Sequence, residues 1–288
     1  MPNFVNPTVL KIFTTKAAVG QYLAQIKASA KTVGFVPTLG ALHQGHLSLI
    51  ELAQQRNDVI ICSIFVNPSQ FNDPKDLEKY PRTIEADIAL LEQVNCDILF
   101  NPGVNEMYDG HEQWHLNIGE TEHLLEGEFR PGHYQGVTQI VYKLFNIVKP
   151  DAAYFGQKDY QQFLIISKMV DMLNMPVKLI MCPIKREANG LAMSSRNIHL
   201  SADDKRHALI LSRTLNYIKN KFDSHDIPAL QQEAAQMINA EPGVELDYFE
   251  IADGDTLHTA TPESKKIVAL VAAKVGKTRL IDNVLLKS

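Results

Sequence analysis

At 288 residues the chain exceeds one typical domain, so two domains are expected. With 45% apolar and 21% charged residues it can bury a full core, which excludes a disordered or low-complexity protein. Its net charge of −5 excludes a general nucleic-acid binder built on a basic excess, while leaving room for a local basic pocket. The three cysteines fall in or beside apolar runs and read as small buried hydrophobes of a reducing compartment, not as a disulfide framework. No run approaches the roughly 18 apolar residues of a membrane span, and the N-terminus lacks a basic segment leading into an apolar core. A soluble cytoplasmic protein with neither membrane nor nucleic-acid partners is expected.

In chain order, Lys16–Ala30 is an amphipathic helix candidate. Val33–Val36 reads as a short buried strand closed by Pro37, which has no N–H to continue a ladder. A loop with two glycines and two histidines follows, Gly40-Ala-Leu-His43-Gln-Gly45-His46, and from His46 the apolar residues recur at helical spacing. A strand, a glycine-containing turn and a helix start make an anion site, where several amides converge with the positive end of the helix dipole, about half an elementary charge. The two histidines admit three readings: capping or core residues, a metal pair, or donors to a phosphate. The metal reading lacks the Glu of a zinc-protease helix and any nearby cysteine.

Asp58–Val66 is almost continuously apolar, as a parallel strand covered on both faces would be. Asn67–Arg82 is a long polar connection with three prolines, either a surface loop or a functional one. Ile84–Val94 is helical in pattern and Asp97–Phe100 a short strand. This alternation predicts an α/β domain, a Rossmann-like parallel sheet with helices on both faces, whose ligands sit beyond the carboxyl ends of the strands. Pro37–His46 and Asn67–Gln70 therefore share an edge. Gly119–Glu128 reads as a short helix and turn, and Arg130–Gly136 as a glycine-rich loop. Val137–Val148 reads as a helix whose apolar stripe is core or subunit interface. Pro150–Asp159 runs from strand into loop, with Lys158 at the same sheet edge just before the helix Tyr160–Leu173. Val177–Cys182 is the last strand of the pattern.

After Cys182–Pro183 the pattern changes. Ala202–Phe222 and Ile227–Ala240 read as helices, and Val244–Ile251, Ile267–Val275 and Thr278–Leu286 as alternating strands, hence a small α+β domain. The expected division is 1–183 and 184–288. Gly276-Lys-Thr278 is no phosphate loop, because the earlier glycine is missing and no helix follows.

The His43-Gln-Gly-His46 loop resembles that of the nucleotidyl-transferring α/β superfamily. Five ordered segments narrow the resemblance: Pro37–His46, Ser63–Phe71, Arg130–Val137, Phe155–Gln162 and Gly190–Asn197, with Thr278–Asn283 closing the chain. Together they resemble the pantothenate synthetase family. Such a ligase joins pantoate to β-alanine with ATP through an enzyme-bound pantoyl adenylate, releasing pyrophosphate and then AMP, commonly as a homodimer. The resemblance implies an ATP site of Leu39, Gly40, Ala41, Leu42, His43, Gln44, Gly45, His46, Gly156, Gln157, Lys158, Asp159, Lys185, Met193, Ser194, Ser195 and Arg196. His46 would be the proton donor, with His43 beside it on the phosphates and Lys158 and Arg196 neutralising charge. Gln70 would hold pantoate and then β-alanine, and Gln162 pantoate. Leu39 stands where the family usually has Met, and Gln44 and Gln157 where acids are common. Magnesium is implied by ATP and the family, but the sequence offers no carboxylate cage, so the ion would ride on the phosphates, with no protein metal site. The alternatives are another nucleotidyl transferase of the superfamily, and a catalytically silent nucleotide-binding protein. Gln70 and Gln162 argue against the first where it would take a phosphate-bearing acceptor, since such a pocket favours Arg or Lys.

Overall fold

The computed structural model describes residues 9–222 and 226–287. Strand β1 (Lys11–Phe13) and helix α1 (Lys16–Ala28) lead into β2 (Val33–Thr38), α2 (Gln44–Gln54) and β3 (Val59–Ile64). Helices α3 (Pro74–Lys79) and α4 (Ile84–Gln93), strand β4 (Ile98–Phe100) and the short helices α5 (Val104–Met107) and α6 (Glu126–Phe129) follow. Next come α7 (His133–Val148), β5 (Ala152–Gly156), α8 (Tyr160–Met172) and β6 (Lys178–Cys182). The remainder is α9 (Ala202–His207), α10 (Leu209–Lys221), α11 (Ile227–Asn239), β7 (Val244–Asp253), β8 (Ile267–Val275) and β9 (Thr278–Lys287).

Two compact units result. The first takes the chain up to Glu122, Arg130–Gly156 and Ile165–Cys182; the second takes His123–Phe129, Gln157–Leu164 and everything from Pro183. In the first, six strands lie in the order β1-β4-β3-β2-β5-β6, all neighbours parallel. β3 is buried along its whole length because both sheet faces are covered. Alternation along β2 divides the core: Val36 packs in the cluster with Leu47 and Ile50 of α2, while Phe35 turns its ring edge to Phe145 of α7, 6.2 Å away. The apolar stripe Val137, Ile140, Val141, Leu144, Phe145 and Val148 of α7 is buried core.

Several boundaries differ from those expected. Pro37 lies inside β2, opposite Ser63, and does not end it. Val33 carbonyl accepts from Asp151 on the β5 side and Thr38 carbonyl from Phe65 on the β3 side, so residue 37 faces β5. Pairing with β5 stops at Phe35, and a missing N–H there costs no ladder bond. The Asn67–Arg82 connection is not structureless; it holds a 3-10 turn at Pro68–Gln70 and α3, whose start is capped by the Asp73 carboxylate on Lys75 N–H. α7 begins at His133, so His133–Gly136 are helical rather than loop, after Gly132 in the left-handed region (φ 79°). The run Ala202–Phe222 is two helices, because at Ala208 the chain tightens and Leu211 N–H bonds to the carbonyl three residues back.

In the second unit the antiparallel sheet β7-β8-β9 packs its apolar face against α10 and α11, with Leu215, Ile218, Ala234 and Ile238 on Ile251, Val271 and Ala273. Gly276 and Lys277 form the tight β8–β9 hairpin, Val275 pairing Thr278. α6 is tied to this sheet by an ion cluster: the Arg279 guanidinium forks onto Glu126 at 2.6 and 2.7 Å and its Nε reaches Asp247 at 2.6 Å. Burial works against the Arg279 charge, but these carboxylates outweigh it and raise its pKa. Among the described residues no helix is long and apolar enough to cross a membrane.

Cys62, Cys96 and Cys182 are unpaired and buried. Burial pushes the Cys62 thiol well up, Cys96 from an ordinary 9.0 to about 12 and Cys182 to about 11. These thiols are stabilising while neutral, so their contribution is complete below the unfolded value and is lost as pH rises towards 12. An aromatic-disulfide thiol reagent at about pH 8 should leave the folded chain unlabelled and react with all three cysteines after guanidinium unfolding. Rapid labelling of the native protein would contradict this burial.

Candidate active site

In the first unit, the loop after β2 is held by an acid that the sequence reading did not single out. Asp87 of α4, 1% exposed, accepts Ala41 N–H at 3.0 Å on Oδ2 and Leu42 N–H at 2.8 Å on Oδ1. Ala41 is left-handed at φ 49° and Gly40 at 86°; a Cβ on Gly40 would come within 2.9 Å of the Ile64 Cγ2 and 3.1 Å of the Asp87 carboxylate. The signal for Asp87 is an acid set among Ile84, Ile88 and Leu91 on the apolar face of its helix.

Helix α2 starts at Gln44, two residues earlier than expected, with His43 as its N-cap. The cap is reciprocal. His43 Nδ1 accepts Gly45 N–H at 3.1 Å, and His46 Nδ1 accepts His43 N–H at 3.3 Å, an imidazole version of a capping box. The half-buried rings stand 4.0 Å apart, centroid to centroid. An Nδ1 that accepts a backbone N–H has no proton, so each neutral ring carries its proton on Nε2. The capping and phosphate-donor readings are thus compatible, the same ring using one nitrogen for each. Gly40 N–H goes to Thr38 Oγ1 at 3.2 Å and His46 N–H to His43 carbonyl at 2.8 Å. Most amides that the anion-site reading assigned to a phosphate therefore already have internal acceptors. Leu39 is half-buried and Gln44 exposed.

Gln70 closes the 3-10 turn after β3 and is 7% exposed. The fully buried Asn67 sets its amide. Asn67 Nδ2 donates to Gly136 carbonyl and to Gln70 Oε1, both at 3.1 Å, while its Oδ1 accepts from Tyr108 hydroxyl at 2.6 Å. A main-chain carbonyl only accepts, which decides the orientation of Asn67 and through it that of Gln70, whose Nε2 is left as the donor end. Burial raises the Tyr108 pKa, keeping its hydroxyl a donor. Neither Asn67 nor Tyr108 was singled out from the sequence as a site residue.

The remaining expected site residues, apart from Gly156 at the end of β5, belong to the second unit, where β9 organises them. Asn283, 1% exposed, donates at 2.9 Å to the carbonyls of both Gln157 and Lys158 and accepts from Gln157 Nε2 at 3.0 Å. Lys158 is four-fifths buried, with its ammonium 3.9 Å from Asp159. The neighbouring Asp282 takes a two-pronged bond from Arg186 at 2.6 and 3.0 Å. Arg186 pairs with Ala192, and Met193 N–H bonds to Lys185 carbonyl at 3.0 Å, which folds Lys185 back beside Met193. Ser194 caps the 3-10 turn Ser195–His199 by accepting Arg196 N–H at 3.3 Å. Lys158, Ser194, Asn197 and Asp282 line one small cavity, and the buried Asn197 Oδ1 has no hydrogen-bond partner. Gln162 lies in the first turn of α8, partly exposed.

The family model of pantoate-beta-alanine ligase matches residues 11–285. The chain belongs to that family. It is 42% identical over 277 residues to a pantothenate synthetase of Porphyromonas gingivalis, covering 96% of this chain and 99% of that one. It is 44% identical over 279 residues to one of Thermotoga petrophila, covering 96% and 100%. Its fold matches the pantothenate synthetase of Thermus thermophilus with a TM-score of 0.91 at 38% identity, over 96% of this chain and 100% of that one. The ligase of Francisella tularensis, complexed with beta-gamma ATP and beta-alanine, matches with a TM-score of 0.81 at 34% identity, over 97% and 99%. The chain is an ATP-dependent ligase that condenses pantoate with β-alanine to give pantothenate.

Replacing Asp87 by Ala should strand two loop amides without an acceptor. We expect a loss of about 2–3 kcal/mol in unfolding free energy and a fall in turnover of about tenfold or more. Denaturant unfolding and initial rates would measure both. Wild-type turnover in Asp87→Ala would mean that the loop holds its shape without the carboxylate.

Proposed function

We propose that catalysis proceeds through a pantoyl adenylate, with His46 as the donor to the departing pyrophosphate. The observation that carries this reading is the reciprocal cap, which keeps the Nε2–H tautomer on both His43 and His46. The pantoate carboxylate attacks the α-phosphate of ATP and pyrophosphate leaves; the β-alanine amine then attacks the acyl carbon, forming the amide and releasing AMP. The first step brings two anions together, so the residues involved must neutralise charge without offering a nucleophile. The imidazole N–H groups, the Lys158 ammonium and the Arg196 fork suit that task. In this reading Leu39–His46, Gly156–Asp159, Lys185 and Met193–Arg196 bind ATP, Gln70 binds pantoate and then β-alanine, and Gln162 binds pantoate. The donor end of the Gln70 amide suits a hydroxy acid, whose oxygens accept.

Magnesium belongs to this scheme as a companion of ATP. As ATP chemistry and the family resemblance imply, the ion is read as bound through the phosphates. Gln44 and Gln157, where acids are common in the family, are both assigned to ATP rather than to metal. Along the chain, 1–183 is read as the ATP- and pantoate-binding domain and 184–288 as the smaller domain that supplies further ATP ligands, with His123–Phe129 and Gln157–Leu164 falling in the second compact unit. The enzyme is read as a cytoplasmic homodimer. Its buried free thiols support a reducing compartment, and the family resemblance supports the dimer.

Pyrophosphate should appear only when ATP and pantoate are both present, and AMP with pantothenate only when β-alanine is added. His46→Ala and Lys158→Ala should each lower pyrophosphate release by about 10²-fold with the chain still folded, the former also losing about 1 kcal/mol of stability with its half of the helix cap. Near-normal turnover in either variant would remove that residue from the mechanism, and pyrophosphate release without pantoate would remove the acid as nucleophile.

A further inference from the structure

The turn that carries Gln70 is pressed against the first turn of α7. A Cβ built on Gly136 would come 2.3 Å from the Ser69 carbonyl oxygen and 2.6 Å from Gln70 N, so only glycine lets the two backbones approach this closely. Within this contact lies His133, 5% exposed. Its Nδ1 is 2.7 Å from the main-chain carbonyl of Gln70, and its Nε2 is 3.1 Å from the Arg130 guanidinium.

The two partners decide the state of the ring independently. A carbonyl only accepts, so Nδ1 carries the proton; a guanidinium only donates, so Nε2 carries a lone pair. His133 is thus a neutral imidazole in a single tautomer, with each nitrogen committed to a partner. Gln70 is held at both ends, its side-chain oxygen by Asn67 and its main chain by His133.

We propose that His133 is a positioning residue for the substrate acid: by holding the Gln70 main chain on α7 it sets where the Gln70 amide meets pantoate. Arg130 supports it by keeping the ring neutral and turned. This rests on the reading that Gln70 contacts pantoate. Holding a group in place matters because small displacements of a contacting amide weaken both binding and attack geometry. A side chain that only stabilised the fold would affect all substrates alike. One that places Gln70 affects the ligands read onto Gln70, pantoate and β-alanine, and leaves ATP unaffected.

The test is steady-state kinetics with ATP and pantoate varied in turn, for His133→Leu, His133→Asn, Gln70→Ala and the double variant His133→Leu/Gln70→Ala. His133→Leu should raise the KM for pantoate about tenfold, the effect of one lost buried hydrogen bond, with the KM for ATP unchanged. His133→Asn, whose amide nitrogen can stand where Nδ1 stands, should recover most of the loss. In the Gln70→Ala background His133→Leu should add little, because both changes act through one amide. The proposal is overturned if His133→Leu leaves the pantoate KM unchanged, if both KM values rise together, or if the Asn and Leu variants are equally impaired. Should His133→Leu fail to fold, Arg130→Gln at its half-buried position must give a smaller but equally selective rise, and no rise would overturn the proposal. A Gln70→Ala variant with an unaltered pantoate KM overturns the underlying reading and the proposal with it. An altered one, beside a silent His133→Leu, overturns the proposal alone.

Discussion

The first unit of this ligase depends on how the backbone N–H groups between Gly40 and His46 are satisfied. Thr38, Asp87, His43 and His46 take them from four directions. A non-glycine residue in the left-handed region costs about 1 kcal/mol or more, and Ala41 stays there because Asp87 bonds to its amide and the next one. The same economy fixes the chemistry of the rings. Each imidazole that caps the helix with Nδ1 has its proton on the opposite nitrogen. The loop thus differs from an open glycine-rich phosphate loop, since most of its amides already have acceptors within the unit.

The second unit solves a comparable problem with a sheet strand. Asp282 and Asn283 are consecutive residues of β9, both nearly buried, and they reach in different directions. Asn283 holds the main chain of Gln157 and Lys158, and Asp282 holds Arg186 at the root of the Lys185–Arg196 loop. A buried carboxylate is tolerated only when paired, and the bidentate geometry supplies that pairing. Lysine and arginine placement in this unit is thus a property of strand β9 as much as of the loops that bear the charges. Gln70 follows the same rule in the first unit, where Asn67, Gly136 and His133 govern an amide that none of them forms part of.

The alternation of strand and helix up to Cys182 is legible because periodicity is a local property, and so are the last three strands with their period of two. Pro37 was misread as a terminator, since its effect depends on which neighbour its nitrogen faces, a matter of register and not of sequence. The start of α7 lies before the expected one because Pro131 and Gly132 mark a turn so strongly that the helical His133–Gly136 behind them read as part of it. The six motif segments led to His46, Lys158 and the Ser194–Arg196 turn, but not to the residues that hold them. Asp87 lies 45 residues from its loop partner Leu42, and Asn283 lies 126 from Gln157. Nothing in a local window reports such bonds, although an acid on an apolar helix face is a visible hint. Whether a loop amide is open to a ligand is equally illegible, because a sequence lists donors without saying which are already engaged.

The central claim is that His43 and His46 are locked as Nε2–H donors by their own helix cap. Nitrogen-15 NMR of the histidine rings tests it most directly, because the protonated and lone-pair nitrogens of a neutral imidazole resonate far apart. With the rings assigned by His43→Gln and His46→Gln, both should give the Nε2–H tautomer near neutral pH, with Nδ1 carrying the hydrogen-bonded lone pair. An Nδ1–H tautomer on either ring would mean that the reciprocal cap does not form, and that the donors of this site lie elsewhere.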